Sequence, residues 1–143
     1  MSAGPAVDPR GPRFAATLTT VVLAVVLVTQ WWPLLAAQAV VFAIGAFVGL
    51  RQAPYPLLFR TLIAPRLSPP TEREDAAPLR FAQAVGFVFA LVGTIGFAAG
   101  IAPLGIVATA FALFAAFLNA AFNFCLGCEM YLLIKRFTPA RAS

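Results

Sequence analysis

The stretch RFAQAVGFVFALVGTIGFAAGIAPLGIVATAFALFAAFLNAAFNFCLGCE, residues 80–129, carries a charge at each end and none between. It holds two apolar blocks, Phe81 to about Gly100 and about Pro103 to Phe124, joined by the uncharged Gly100-Ile101-Ala102. A helix rises about 1.5 Å per residue, so a block of ~20 residues crosses the ~30 Å hydrocarbon core of a bilayer. The blocks are apolar all round, as expected of helices that touch both lipid and one another. Strands are excluded, because so few segments cannot close a barrel and lipid tolerates no open sheet edge.

The same pattern extends upstream. Residues 14–32 (FAATLTTVVLAVVLVTQWW) and 34–50 form two further blocks, the second being the shortest. The expected fold is therefore all-α and integral to the membrane. It is a single transmembrane domain over residues 1–143, with four transmembrane helices (about 14–32, 34–50, 81–100 and 103–124) arranged as two hairpins. Trp31-Trp32-Pro33 reads as an interfacial aromatic anchor followed by a turn. The alternative is a signal peptide, with Arg10 and Arg13 as its charged start and Ala37-Gln38-Ala39 as the cleavage site. That alternative is weaker, since the block is long for a signal core and a second block follows at once.

Composition agrees. Of 143 residues, 62% are hydrophobic and 10% charged, against about 25% charged in soluble domains. The formal net charge of +5 does not indicate nucleic acid, because the basic residues lie in gaps between apolar blocks and form no stripe. The chain has no histidine, which excludes a histidine base or a histidine-ligated metal.

Every Lys and Arg falls in one of three places: Arg10 and Arg13; Arg51, Arg60, Arg66, Arg73 and Arg80; Lys135, Arg136 and Arg141. With an even number of spans these regions share one side, and the positive-inside rule makes it cytoplasmic. The expected location is the bacterial inner (cell) membrane, multi-pass, with both termini cytoplasmic. Residues 51–80 form the cytoplasmic loop, and 125–143 a C-terminal interfacial segment. Within the loop, Tyr55 to Leu67 reads as a short interfacial amphipathic helix between helices 2 and 3, and Ser68 to Pro78 as a solvated, Pro-rich turn region.

Arg13-Phe14-Ala15 and Arg80-Phe81-Ala82 open the first and third blocks, and Pro33-Leu34 and Pro103-Leu104 the second and fourth. This weak repeat suggests two hairpins in parallel duplication. Gly45-x-x-x-Gly49 and Gly96-x-x-x-Gly100, extended by Gly86 and Gly93, predict close helix contacts. They also leave small-residue surface for a second copy or another membrane protein. No ionisable residue lies inside a block, which argues against proton pumping or ion-coupled transport. Asn119 and Asn123 share one helix face, either as interhelical hydrogen-bond partners or as a polar lining.

Both cysteines of the chain, Cys125 and Cys128, stand in C-L-G-C at the end of the fourth block, followed by Glu129. A C-x-x-C pair suits thiol–disulfide exchange, in which one thiolate attacks and the other resolves. It also supplies half of a four-ligand metal site, but the chain lacks the other half, so redox or sulfur chemistry ranks above metal binding. The apolar boundary disfavours a thiolate, whereas Lys135, Arg136 and exposed helix amides favour one. Glu129 opposes it by like charge but is placed to accept a proton. Gly127 is the expected break that re-aims the cysteines relative to the asparagines. No cofactor follows from these residues, and no quinone site is recognisable.

Val7-Asp8-Pro9-Arg10, Arg13-Phe14-Ala15, Pro56-Leu57-Leu58-Phe59-Arg60, Ala77-Pro78-Leu79-Arg80-Phe81-Ala82-Gln83 and Phe124-Cys125-Leu126-Gly127-Cys128-Glu129 together resemble a bacterial membrane family, domain of unknown function 4395, common in actinobacteria. The resemblance covers nearly the whole chain. It implies four spans, no assigned activity, and association with thioredoxin-like or sulfurtransferase proteins. It marks Cys125 and Cys128 as the site, with Arg13, Arg80 and Glu129 in support. The resulting expectation is a cytoplasmic-edge pair that exchanges disulfide or sulfur with a thioredoxin-like or rhodanese-like partner. Arg13, Arg60 and Arg80 would anchor the spans at the lipid headgroups or dock that partner. The rivals are a non-catalytic membrane scaffold, and a carrier for a small sulfur species lined by Thr109, Asn119 and Asn123.

Overall fold

Helix α1, Arg10–Thr29, starts with Pro12 in its first turn, where the missing N–H costs nothing. It stops where Gln30 takes a left-handed φ of 55°. Trp31, extended, precedes α2, and Pro33 sits in the first turn of α2. The structure is a computed structural model that describes residues 6–7, 10–66, 74–122 and 124–137. Helix α2 covers Trp32–Val48, winding as a wider π-helix over Ile44–Val48 and ending at Gly49, whose φ is 148°. A 3₁₀ turn, Leu50–Gln52, leads to α3. Helix α3 begins at Pro54–Leu58, widens over Phe59–Ile63 and tightens over Ala64–Arg66. Three helices follow: α4, Ala76–Ala98; α5, Ala102–Phe122; and α6, Leu126–Arg136.

Among the described residues the all-α expectation holds but for a two-residue antiparallel bridge, β1 (Ala6–Val7) with β2 (Glu74–Asp75), in which Ala6 pairs with Asp75 and Val7 with Glu74. Among the described residues three helices are long and apolar enough to cross a membrane: Arg10–Thr29, Ala77–Ala98 and Ala102–Phe122. Trp32–Val48 is apolar but shorter. Their outward faces are apolar too: Val28 is 85% exposed and Val107 52%. Contiguous exposed apolar surface on this scale marks contact with lipid or another protein.

The start of the third block differs from the sequence reading. Helix α4 starts at Ala76 rather than Phe81, because Pro78 in a first turn needs no N–H partner and does not break the helix. The remainder of the expected Ser68–Pro78 loop, through Arg73, lies outside the described residues, as do Asn123 and Arg141.

Packing crosses between the two halves of the chain. Helix α1 packs chiefly on α5, α2 on α4, and α4 also on α5, whereas α1 and α2 touch sparsely. The first two helices are thus neighbours in sequence more than in space. The centre is built from Leu23 and Val26 of α1, Leu35, Ala39 and Phe42 of α2, Ala90 of α4 and Ala112 of α5. Burying a side chain of the Leu or Phe class contributes about 1.5–3 kcal/mol in water. Within lipid that gain largely disappears, and close packing of the helices holds the centre together instead.

The glycines divide into two roles, and the x-x-x spacing does not predict which. A Cβ on Gly86 would lie 2.7 Å from the Phe42 ring, one on Gly93 2.8 Å from Leu35, and one on Gly96 2.7 Å from the Gly105 backbone. Those positions let α4 approach α2 and α5. Gly100, by contrast, has φ 82° and nothing near its would-be Cβ. It turns the chain between α4 and α5, as C-terminal glycines do.

Candidate functional site

The arginines at the start of α1 and α4 define one end of the bundle. Arg80 donates from Nε and Nη2 to the Ala46 carbonyl, at 3.1 and 2.8 Å. Arg13 donates from Nη2 to the Ala120 carbonyl at 3.0 Å. Ala46 and Ala120 lie in the last turns of α2 and α5, where carbonyls have no partner in their own helix. A cation there also meets the negative end of the helix dipole. Each arginine therefore caps a helix from the opposite half of the chain. Arg80 does so half-buried and bidentately, Arg13 exposed and through one bond.

The short helices follow the same plan. Phe14 of α1 packs on Phe59 of α3, with ring centroids 5.8 Å apart. Phe81 of α4 packs on Tyr131 of α6 at 5.7 Å. A Cβ on Gly127 would sit 2.6 Å from that of Ala82, so α6 lies directly on α4. Tyr55 of α3 donates to Gln38 Oε1 at 2.8 Å, and burial raises the Tyr55 phenol above its ordinary value of 10.0.

The cysteine pair opens α6. Helix α5 ends at Phe122, and Cys125 becomes the N-cap residue of α6, extended at φ −91° and ψ 103°. The break therefore precedes the cysteines and does not fall at Gly127, which serves contact with Ala82 instead. Cys125 and Cys128 are joined in a disulfide with Cα atoms 5.1 Å apart. The Cys128 N–H also donates to Cys125 Sγ at 3.1 Å. When the pair is reduced, negative charge on Cys125 sulfur would meet that N–H and the positive end of α6. Glu129 is exposed in the first turn of α6. An acid is stabilised there by the dipole, which gives Glu129 a structural reason to be present.

Cys125 lies in the wall of a cavity of about 730 Å³ at this charged end. All six helices of the described residues contribute: Ala15 and Thr19 from α1, Phe42 from α2, Phe59 and Arg60 from α3, Arg80 and Gln83 from α4, Asn119 from α5, and Gly127 from α6. The structure thus brings Arg60, Arg80, Asn119 and Cys125 together. Arg13, Cys128 and Glu129 are not part of that wall. Thr109, expected beside Asn119 in a carrier, is instead fully buried, with its oxygen 3.2 Å from a would-be Cβ on Gly93. Among the described residues no group of His, Cys, Asp and Glu is arranged to hold a metal ion.

Of the wall residues, sequence reasoning put Arg60, Arg80, Asn119 and Cys125 in a site, but it did not assign Gln83, Thr19 or the aromatic side chains to one. Their helical blocks are uniformly apolar, and nothing in such a pattern marks the inward face.

The chain belongs to the family described as Domain of unknown function (DUF4395), whose model matches residues 7–136. No curated protein and no solved structure matches it.

Proposed function

Starting from a family with no assigned activity, we propose that the chain is an integral membrane protein in which α1, α2, α4 and α5 all cross the bilayer. Both termini then lie on the cytoplasmic side, because the clustered arginines and lysines favour that face. Helices α3 and α6 lie in the headgroup layer. At 17 residues, Trp32–Val48 sits at the lower limit for crossing. Its wider turn at Ile44–Val48 and the Arg80 clamp close its end.

The Cys125–Cys128 pair exchanges a disulfide with a soluble thioredoxin-like or sulfurtransferase partner at that face. Cys125 is the attacking thiol, and Cys128 resolves the mixed disulfide by attacking Cys125 sulfur and releasing the partner's thiol; in reverse, a partner thiolate attacks Cys125 sulfur, expels Cys128, and its second thiol completes reduction of the pair. The supporting observation is the position of Cys125: N-cap of α6, bonded by the Cys128 N–H, and part of a cavity wall. A C-x-x-C at a helix start is the arrangement in which a thiolate is best stabilised. Glu129, exposed beside the pair, is in position to take a proton.

Two measurements test this. A Cys128→Ser chain should accumulate a mixed disulfide through Cys125 in cells. Failure to trap any partner, with the protein inserted at normal levels, leaves the scaffold reading in its place. A reporter on the final residue should be cytoplasmic. Finding it outside the cell would put the pair in an oxidising compartment and remove the internal partner.

A further inference from the structure

The cavity beside Cys125 is graded along its length. Near the bundle's charged end it presents the hydrogen-bond donors Arg60, Arg80 and Asn119, and farther in it is walled by Phe42, Phe89 and Phe111. Asn119 and Phe111 lie eight residues apart on α5, which is about 12 Å at about 1.5 Å per residue. The volume, about 730 Å³, falls in the ~300–1,000 Å³ range of sites that take small organic ligands. Donors at one end and aromatic faces along the rest select a flat ring with acceptor oxygens and an apolar tail. A phospholipid would use the donors through its phosphate but leave the aromatic faces without a ring to match. The sulfur in the wall adds a chemical requirement, since a dithiol at Cys125 and Cys128 is a two-electron reductant.

We propose that this cavity binds a quinone-class, membrane-soluble electron acceptor, which oxidises the reduced pair through Cys125. The proposal rests on the thiol reading above, run in the direction in which a partner dithiol reduces the Cys125–Cys128 disulfide, and supplies the oxidant that restores that disulfide. Two S–H bonds break and the Cys125–Cys128 bond forms. Both electrons and both protons end on the two quinone oxygens, giving the quinol. The arginines and Asn119 hold the carbonyl oxygens and stabilise the charge that grows on them as the electrons arrive.

The test uses the full chain in lipid nanodiscs, reduced, desalted and kept anaerobic, with duroquinone as the probe, since its fully substituted ring blocks thiol addition. One quinol should form per chain, at a rate that saturates with duroquinone. Ala115→Phe, which fills the cavity from α5, should slow the reaction roughly tenfold or more, the scale of effect that follows displacement of reacting groups. Saturation in the unaltered protein decides the matter independently of whether that variant folds. A rate linear in duroquinone and indifferent to Ala115→Phe means chance collision and overturns the site. Retained phospholipid that duroquinone does not displace assigns the cavity to lipid and overturns it equally. Reduction of the oxidised pair by a thioredoxin is followed in the same samples. If that persists while no quinol forms, the quinone site alone falls; if neither occurs, the thiol reading falls with it.

Discussion

The first half of the chain, α1 to α3, and the second, α4 to α6, repeat one plan with different chemistry at the end. Each opens with Arg-Phe-Ala. In each, the arginine caps the last turn of a helix in the other half, and the phenylalanine packs on an aromatic ring of its own half's short helix. The halves part at the step into that short helix. In the first, α2 widens into a π-turn, ends at Gly49 and passes through a 3₁₀ turn. In the second, α5 keeps its α-helical winding to Phe122 and a cysteine caps α6. The architecture is shared, so it belongs to holding two helix pairs together. The cysteines have no counterpart, so they are where a function beyond holding is to be sought.

The comparison breaks most visibly at the arginines. Arg80→Leu removes two charged hydrogen bonds from a half-buried site. At about 1.5–3 kcal/mol for a charged hydrogen bond, it should destabilise by about 2–4 kcal/mol. Arg13→Leu removes one exposed bond and should cost under about 1 kcal/mol. Thermal unfolding in detergent, side by side, reads the difference; equal losses would show that the clamps are equivalent after all. The contacts of the short helices differ next. Gly127→Val drives a side chain into Ala82 and should cost about 1–3 kcal/mol through overpacking. Gly11→Ala, whose Cβ would sit 3.6 Å from Phe59, should be nearly neutral. Protease accessibility of α6 and of α3 separates the two.

A smaller effect than at Arg80 or Gly127 is expected at Tyr55. Tyr55→Phe removes the donor to Gln38 Oε1 and should cost about 1 kcal/mol. Burial holds the folded-state phenol above 10.0, so folding favours the protonated ring. That contribution is complete below pH 10.0 and is lost as pH rises through the folded-state value. A denaturation series into alkali should show the loss in the parent chain and not in Tyr55→Phe.

Much of this is legible from sequence, for physical reasons that differ by element. The apolar blocks announce helices because nothing else suits lipid. The Arg-Phe-Ala repeat points to the arginines that matter. Their acceptors, Ala46 and Ala120, are invisible, since a backbone carbonyl has no residue signature. The crossed pairing of α1 with α5 and α2 with α4 is equally hidden, because helices apolar on every side do not declare which face meets which neighbour. Glycine's reputation as a helix breaker points to Gly127, yet the break precedes Cys125, and the missing side chain at Gly127 serves contact with Ala82. Pro78 suggests a loop, although a proline is at home in a first helical turn. The cavity is not legible at all, being assembled from six helices with few polar residues each.

The central claim is that Cys125 and Cys128 cycle between dithiol and disulfide at the membrane's edge. Mass-spectrometric thiol trapping in intact cells tests it most directly, with alkylation by one reagent before reduction and by another after. The account predicts that the pair is found in both states and shifts toward the dithiol when membrane electron acceptors are kept reduced. A pair that stays wholly in one state under every such condition would contradict it.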